Sequence, residues 1–159
     1  MKYLFLLCGP AGAGKSTWAA NQIKDCKYKC EIVSRDEVRF SLVSEDEQYF
    51  AKEDLVFDKF IYKINEAIHL NDAIFVDATH LNEKGRNKVL DRLFLTDVNI
   101  IPVNFMAPLD ICLSQNAQRT GRKRVPEHVI EKMWYDFKPA ADGEKYEYYQ
   151  VLSTGECNE

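Results

Sequence analysis

The 159-residue sequence predicts an α/β fold, a doubly wound and mostly parallel sheet. Three observations carry that expectation. Short apolar runs recur between longer segments with helical periodicity, the alternation of strand and crossover helix that a parallel sheet requires. The first of these runs leads into a glycine-rich turn followed by a helical pattern. No internal repeat, low-complexity tract or linker interrupts the alternation, so residues 1–159 read as one domain long enough to bury a core.

Taken in chain order, strands are expected at roughly 3–8, 31–34, 73–77 and 99–105, with a weaker one near 147–152. Helices are expected at about 15–25, 36–42, 51–70, 83–95, 109–120 and 127–137. The strongest periodic segment is "EDLVFDKFIYKINEAIHL", in which Leu55, Val56, Phe60, Ile64, Ala67 and Ile68 can share one buried face. "KPAADGEK" carries turn residues and separates the last helix from an aromatic tail, "YEYYQVL". That tail can be an edge strand or an aromatic binding surface; the edge strand is the simpler reading.

Composition narrows the class. A hydrophobic fraction of 46% with 29% charged residues is that of a soluble globular protein. "YLFLLC" is too short for a membrane span and lacks a signal-peptide layout, so it reads as an interior strand of a cytoplasmic protein with no membrane partner. The five cysteines are an odd number. Cys26 and Cys30 have helix-turn spacing but would need two further ligands to hold zinc, and Cys112 and Cys157 belong to no paired motif. Reduced thiols are expected. A formal net charge of −4 argues against broad coating of nucleic acid but leaves room for a local basic site.

"GPAGAGKST" satisfies G-x-x-x-x-G-K-[ST], with Gly9, Gly14, Lys15 and Ser16 in the required places between a strand and a helix. Gly9, Gly12 and Gly14, with Ala13 among them, let backbone amides curl around phosphate oxygens, and the helix behind offers free N–H groups and its positive end. Lys15 is placed to reach the β- and γ-phosphates of ATP, and the Ser16 hydroxyl to bind Mg²⁺. Thr17 can assist at the α-phosphate. "AIFVDATH" ends an apolar run in Asp77, the position from which an acid holds Mg²⁺ beside such a loop. Thr79 can join this network, and Asn82 reads as a helix cap before Glu83.

"SRDEVR" divides into two parts. Ser34 and Glu37 form an S-x-x-E capping box, which accounts for both without chemistry. Asp36 stands at the C-terminal end of a strand, where the sites of open α/β sheets assemble. It can take the proton of an attacking hydroxyl, and Arg39, on the same helix face, can grip an acceptor phosphate in a fork. "QNAQRTGRKRVP" places Arg119, Arg122, Lys123 and Arg124 where a helix gives way to a loop. As an isolated feature this is a solvated charge run. Beside a phosphate loop it reads as a lid over about 119–126, with Arg119 first and Arg122 next at the transferring phosphoryl group. Lys123 and Arg124 are the candidates for acceptor phosphates.

In this order and spacing, "GPAGAGKSTWA", "SRDEVR", "VDATHLNEKGR" and "QRTGRKRVP" resemble the kinase domain of bacteriophage polynucleotide 5′-hydroxyl kinases. The resemblance runs from the first strand to the helix after the lid. It implies a P-loop NTPase kinase fold with an arginine-bearing lid, and ATP- and Mg²⁺-dependent phosphorylation of a nucleic-acid 5′-hydroxyl. On matching positions it implies Lys15 and Ser16 at ATP and Mg²⁺, Asp36 as general base, Arg39 at an acceptor phosphate and Arg119 at the donor phosphates. No D-x-D-G-T-like phosphatase motif is present, so only the kinase half is represented. Two alternatives stand beside this expectation: the same chemistry on a small-molecule hydroxyl such as a nucleoside or antibiotic, and a nucleotide-switched regulatory ATPase. The choice of RNA or DNA and the oligomeric state are not expressed in the sequence.

Overall fold

The computed structural model describes residues 1–155. Five strands alternate with six helices: β1 (Lys2–Cys8), α1 (Lys15–Lys24), β2 (Cys30–Ser34), α2 (Arg35–Leu42), α3 (Glu53–Leu70), β3 (Ala73–Asp77), α4 (Glu83–Leu90), β4 (Val98–Phe105), α5 (Leu109–Ala117), α6 (Glu127–Asp136) and β5 (Leu152–Thr154). A 3₁₀ turn, Gly121–Lys123, lies between α5 and α6. The strands form one sheet in the order β2-β3-β1-β4-β5, and every pair is parallel. The α/β expectation therefore holds.

Strand alternation sorts the core into two layers. Leu4, Leu6 and Cys8 of β1 point to one face, where Phe60 and Ile64 of α3 and Leu90 of α4 cover them. Phe5 and Leu7 point to the other, against Trp18 and Ala19 of α1, Cys112 of α5 and Ile130 of α6. Burial on both faces explains why these strands read as apolar runs rather than as alternating ones. Phe5 stacks on Phe75 at 4.7 Å with Trp18 edge-on to both, tying β1 and β3 to α1.

Several boundaries and faces move. On α3 the buried stripe is Val56, Phe57, Phe60, Ile61, Ile64, Ala67 and Ile68, while Leu55 is 59% exposed. The i, i+3, i+4 stripe is centred one position further on than expected, which turns Leu55 outward. Helix α4 stops at Leu90 rather than near 95, and the chain turns at Asp91. The edge strand lies at Leu152–Thr154, later than the aromatic run. That run is structural: Tyr146 donates to Asp91 and Tyr148 to Glu144. The sulfurs of Cys26 and Cys30, expected as separate thiols, meet because α1 ends at Lys24 and the turn into β2 brings the two residues together. Cys8 and Cys112 are free and buried, and Cys157 lies outside the described residues.

The topology also locates the site. From β1 the chain runs to β2 at one edge, returns through β3 beside β1, then crosses to β4 on the other side of β1. The reversal opens a crevice at the C-terminal ends of β1 and β3, where α/β sheets bind ligands.

Candidate active site

The loop after β1 needs glycine for two reasons. Gly12 and Gly14 have φ of 83° and 95°, the left-handed region that other residues enter at a cost. A Cβ on Gly12 would also run into the backbone of Cys112, whose carbonyl carbon is 3.1 Å from that position. The loop is thus pressed against α5 and keeps its shape through that contact. The Gly9 amide donates to the Thr79 carbonyl at 2.8 Å, which fastens the loop to the segment after β3.

Lys15 opens α1 and folds back over the loop, its ammonium donating to the carbonyls of Gly9 at 2.9 Å and Pro10 at 2.8 Å. Burial pushes its pKa below the ordinary lysine value, with Asp77 opposing that shift. Asp77 ends β3 and accepts a 2.6 Å hydrogen bond from the Ser16 hydroxyl. Burial raises its pKa above the usual carboxylate value, with Lys15 the chief opposing charge. Two hard oxygen donors this close suit Mg²⁺, which is commonly held by one or two protein groups plus substrate phosphates. The residues present therefore fit that ion.

Across the cleft, one half of the expected capping box forms at the start of α2: the Glu37 amide donates to the Ser34 hydroxyl, while the Glu37 carboxylate makes no return bond to the Ser34 amide among the described residues. Asp36, two residues after this cap, borders the cleft with its side chain 60% exposed. Its Oδ1 accepts from Arg39 Nη1 at 2.6 Å and from the Tyr49 hydroxyl at 3.1 Å. Arg39 is buried, and its forked edge is already engaged. Nε donates to Glu53 Oε1 at 2.9 Å and Nη2 to Glu53 Oε2 at 3.2 Å. With Nη1 also donating to Tyr49 at 3.3 Å, all but one of its N–H donors are used. Glu53 also accepts from Arg35 at 3.2 Å, while the buried Arg35 Nε has no hydrogen-bond partner among the described residues.

The basic run separates into different positions. Arg119 follows α5 and borders both a cleft of about 570 Å³, which it shares with Lys15, Asp36 and Asp77, and a second cleft of about 690 Å³ along Gly14, Thr17 and Trp18. Ser16 and Arg119 are common to the two, so they stand at the junction. Arg122 donates to the carbonyls of Phe40 and Val43 at the end of α2, and its guanidinium lies 4.5 Å from the Phe40 ring centre. Cations at a helix C-terminus satisfy its last carbonyls. Arg124 borders the first cleft, whereas Lys123 is exposed and borders neither.

The first cleft thus brings together Lys15, Ser16, Asp36, Arg39, Asp77, Arg119, Arg122 and Arg124 from the positions singled out by sequence. Thr79 also borders it, and Asn82 caps α4 by accepting from the Gly85 amide. Sequence reasoning missed Arg35, Tyr49, Phe50 and Glu53. The one local hint was an adjacent aromatic pair, Tyr49–Phe50, in the otherwise polar segment "SEDEQYFAKE".

This parallel sheet, with its glycine-rich loop, lysine and Ser–Asp pair, defines a P-loop fold, the class built around a phosphate-cradling loop. Residues 4–140 match the family described as AAA domain (AAA_33), and the chain belongs to that family. It is 28% identical over 146 residues to an L-seryl-tRNA(Sec) kinase of Methanococcus maripaludis, a match covering 90% of this chain and 54% of the relative. A chain of the Pnkp1/Rnl/Hen1 RNA repair complex has a similar fold, with a TM-score of 0.71 at 20% identity, covering 91% of this chain and 50% of that one. A gluconokinase from Sinorhizobium meliloti gives 0.58 at 14% identity, covering 94% and 79%. The chain spans about half the length of the curated relative it matches. Among the described residues, no helix is long and apolar enough to cross a membrane.

Proposed function

We propose that this chain is an ATP-dependent phosphotransferase that moves the γ-phosphoryl group to a 5′-hydroxyl end of RNA or DNA, with Asp36 as general base. The observation that carries this reading is the Asp36–Arg39 pair in the same cleft as Lys15, Ser16 and Asp77. A nucleotide switch has no need of a carboxylate on the acceptor side.

The acceptor oxygen attacks the γ-phosphorus in line. The bond from that phosphorus to the β,γ-bridging oxygen breaks, ADP leaves, and the hydroxyl proton passes to Asp36. Both hydrogen bonds to Asp36 fall on Oδ1, which leaves Oδ2 for the proton. Lys15 and Arg119 stabilise charge on the transferring group, and the rest of the catalysis is positioning. Mg²⁺, held by Ser16 and Asp77, would neutralise charge on the β- and γ-phosphates.

The cleft favours a polyanionic acceptor. Six cations, Lys15, Arg35, Arg39, Arg119, Arg122 and Arg124, border it against the carboxylates of Asp36, Glu53 and Asp77. This local excess of positive charge occurs in a chain whose net charge is −4. A small-molecule hydroxyl is the second reading, favoured by that acidic surface and by the gluconokinase likeness in fold.

The deciding experiment offers ATP labelled in its γ-phosphate with 5′-hydroxyl RNA, 5′-hydroxyl DNA, nucleosides and gluconate. Label on an oligonucleotide end is expected. Label on a small alcohol with none on either oligonucleotide would overturn the assignment.

A further inference from the structure

We propose that Phe50, braced by Tyr49, is a stacking shelf for the base of the acceptor's 5′-terminal nucleotide; this rests on the polynucleotide reading above. Phe50 borders the first cleft and is 67% exposed. An apolar ring left in water at the edge of a charged cleft gains nothing for the fold, since burying it elsewhere would stabilise the protein.

The ring is nevertheless held in place. Tyr49 meets it edge-on, with ring centres 4.8 Å apart, and the Arg39 guanidinium lies 5.5 Å from its centre. Tyr49 is fixed in turn by Phe40 at 6.2 Å, by Arg39 at 4.7 Å and by its hydrogen bond to Asp36. A supported aromatic surface open on the cleft side is therefore tied to the proposed general base through one tyrosine.

That placement suits a nucleotide. With the 5′-hydroxyl at Asp36, the base lies one sugar away, as the Phe50 ring lies one tyrosine side chain beyond the carboxylate. Aromatic rings beside guanidinium groups are the usual equipment for holding unpaired bases, because every base has a face to stack. A linear polyol offers no such face.

The test compares wild type, Phe50→Ala and Phe50→Tyr on two 5′-hydroxyl oligonucleotides, one with an ordinary 5′-terminal base and one abasic at that nucleotide. Phe50→Ala is expected to raise KM for the first by about tenfold, the scale of one lost base–aromatic stack. The effect should fall on KM rather than kcat, and Phe50→Tyr should restore it. On the abasic substrate, wild type and Phe50→Ala should have the same KM. Equal KM increases on both substrates, or none on either, would overturn the shelf while leaving the polynucleotide assignment standing. If wild type phosphorylates neither oligonucleotide, both fall together.

Discussion

Asp36→Asn separates a chemical role for the acceptor carboxylate from a structural one. The Arg39 guanidinium and the Tyr49 hydroxyl both donate to Oδ1, so an asparagine must keep its carbonyl oxygen there. Its amide nitrogen then occupies the Oδ2 position and presents hydrogens where a base must present a lone pair. Loss of a general base costs about 10²- to 10⁴-fold in rate, or about 3–5 kcal/mol of barrier at 1.36 kcal/mol per tenfold. The structural cost is smaller, about 1 kcal/mol, because the Asp36 side chain is 60% exposed, the asparagine oxygen keeps both hydrogen bonds and the buried Arg39 retains Glu53. Stopped assays of γ-phosphate transfer, with equilibrium binding of ATP and thermal unfolding on the same protein, should show a hundredfold or greater fall in kcat. ATP affinity should persist and Tm should drop by at most about 4 °C. A variant that transfers phosphate within tenfold of wild type would refute the general-base argument, whatever its stability.

Three further outcomes are expected. Glu53→Gln removes the carboxylate that holds Arg39 and Arg35. Acceptor KM should rise several-fold while urea unfolding shows a loss of about 1–2 kcal/mol; unchanged acceptor KM would mean that Glu53 orients nothing. Gly12→Ala should lower stability by about 2–5 kcal/mol, combining left-handed strain with overpacking against Cys112. Gly14→Ala, with open space around its Cβ position, should show the strain alone, and equal Tm losses for the two would contradict this. His80 is buried with φ of 43° and its Nδ1 lies 2.6 Å from the Leu7 carbonyl, and burial moves its pKa from 6.5 to about 4. Between those values the unfolded chain binds a proton that the folded chain does not. Stability should therefore fall by about 3 kcal/mol as pH drops through that window. Asparagine tolerates the positive φ and can donate to the same carbonyl, so His80→Asn should flatten that dependence in urea titrations at pH 6.5 and 4.

Legibility in the sequence followed how locally each feature is made. The phosphate loop, the Ser34 cap and the strand ending in Asp77 each complete their geometry within a few residues, so spacing alone revealed them. The Asp36–Arg39 pair was visible for the same reason, as one helical turn. The setting of Arg39 was not visible, because Tyr49 and Glu53 reach it from the turn after α2 and the start of α3. The forked grip on a phosphate, natural for an isolated arginine, gives way to a fork on Glu53. The face of α3 was legible to within one position, and the sheet order appeared only once the strands had paired.

The basic run "RTGRKR" shows how tertiary structure divides what composition merges. Along the sequence its cations divide only into donor-side and acceptor-side candidates, yet Gly121, at φ of 61°, turns the chain and sends even neighbouring side chains to different places. Arg119 stays at the junction of the two clefts, Lys123 faces solvent, and Arg122 reaches back to the carbonyl end of α2. That last contact ties the 3₁₀ turn to the helix that carries Asp36 and Arg39. A charge run in the sequence thus becomes, once folded, one arginine capping α2 and others bordering the clefts.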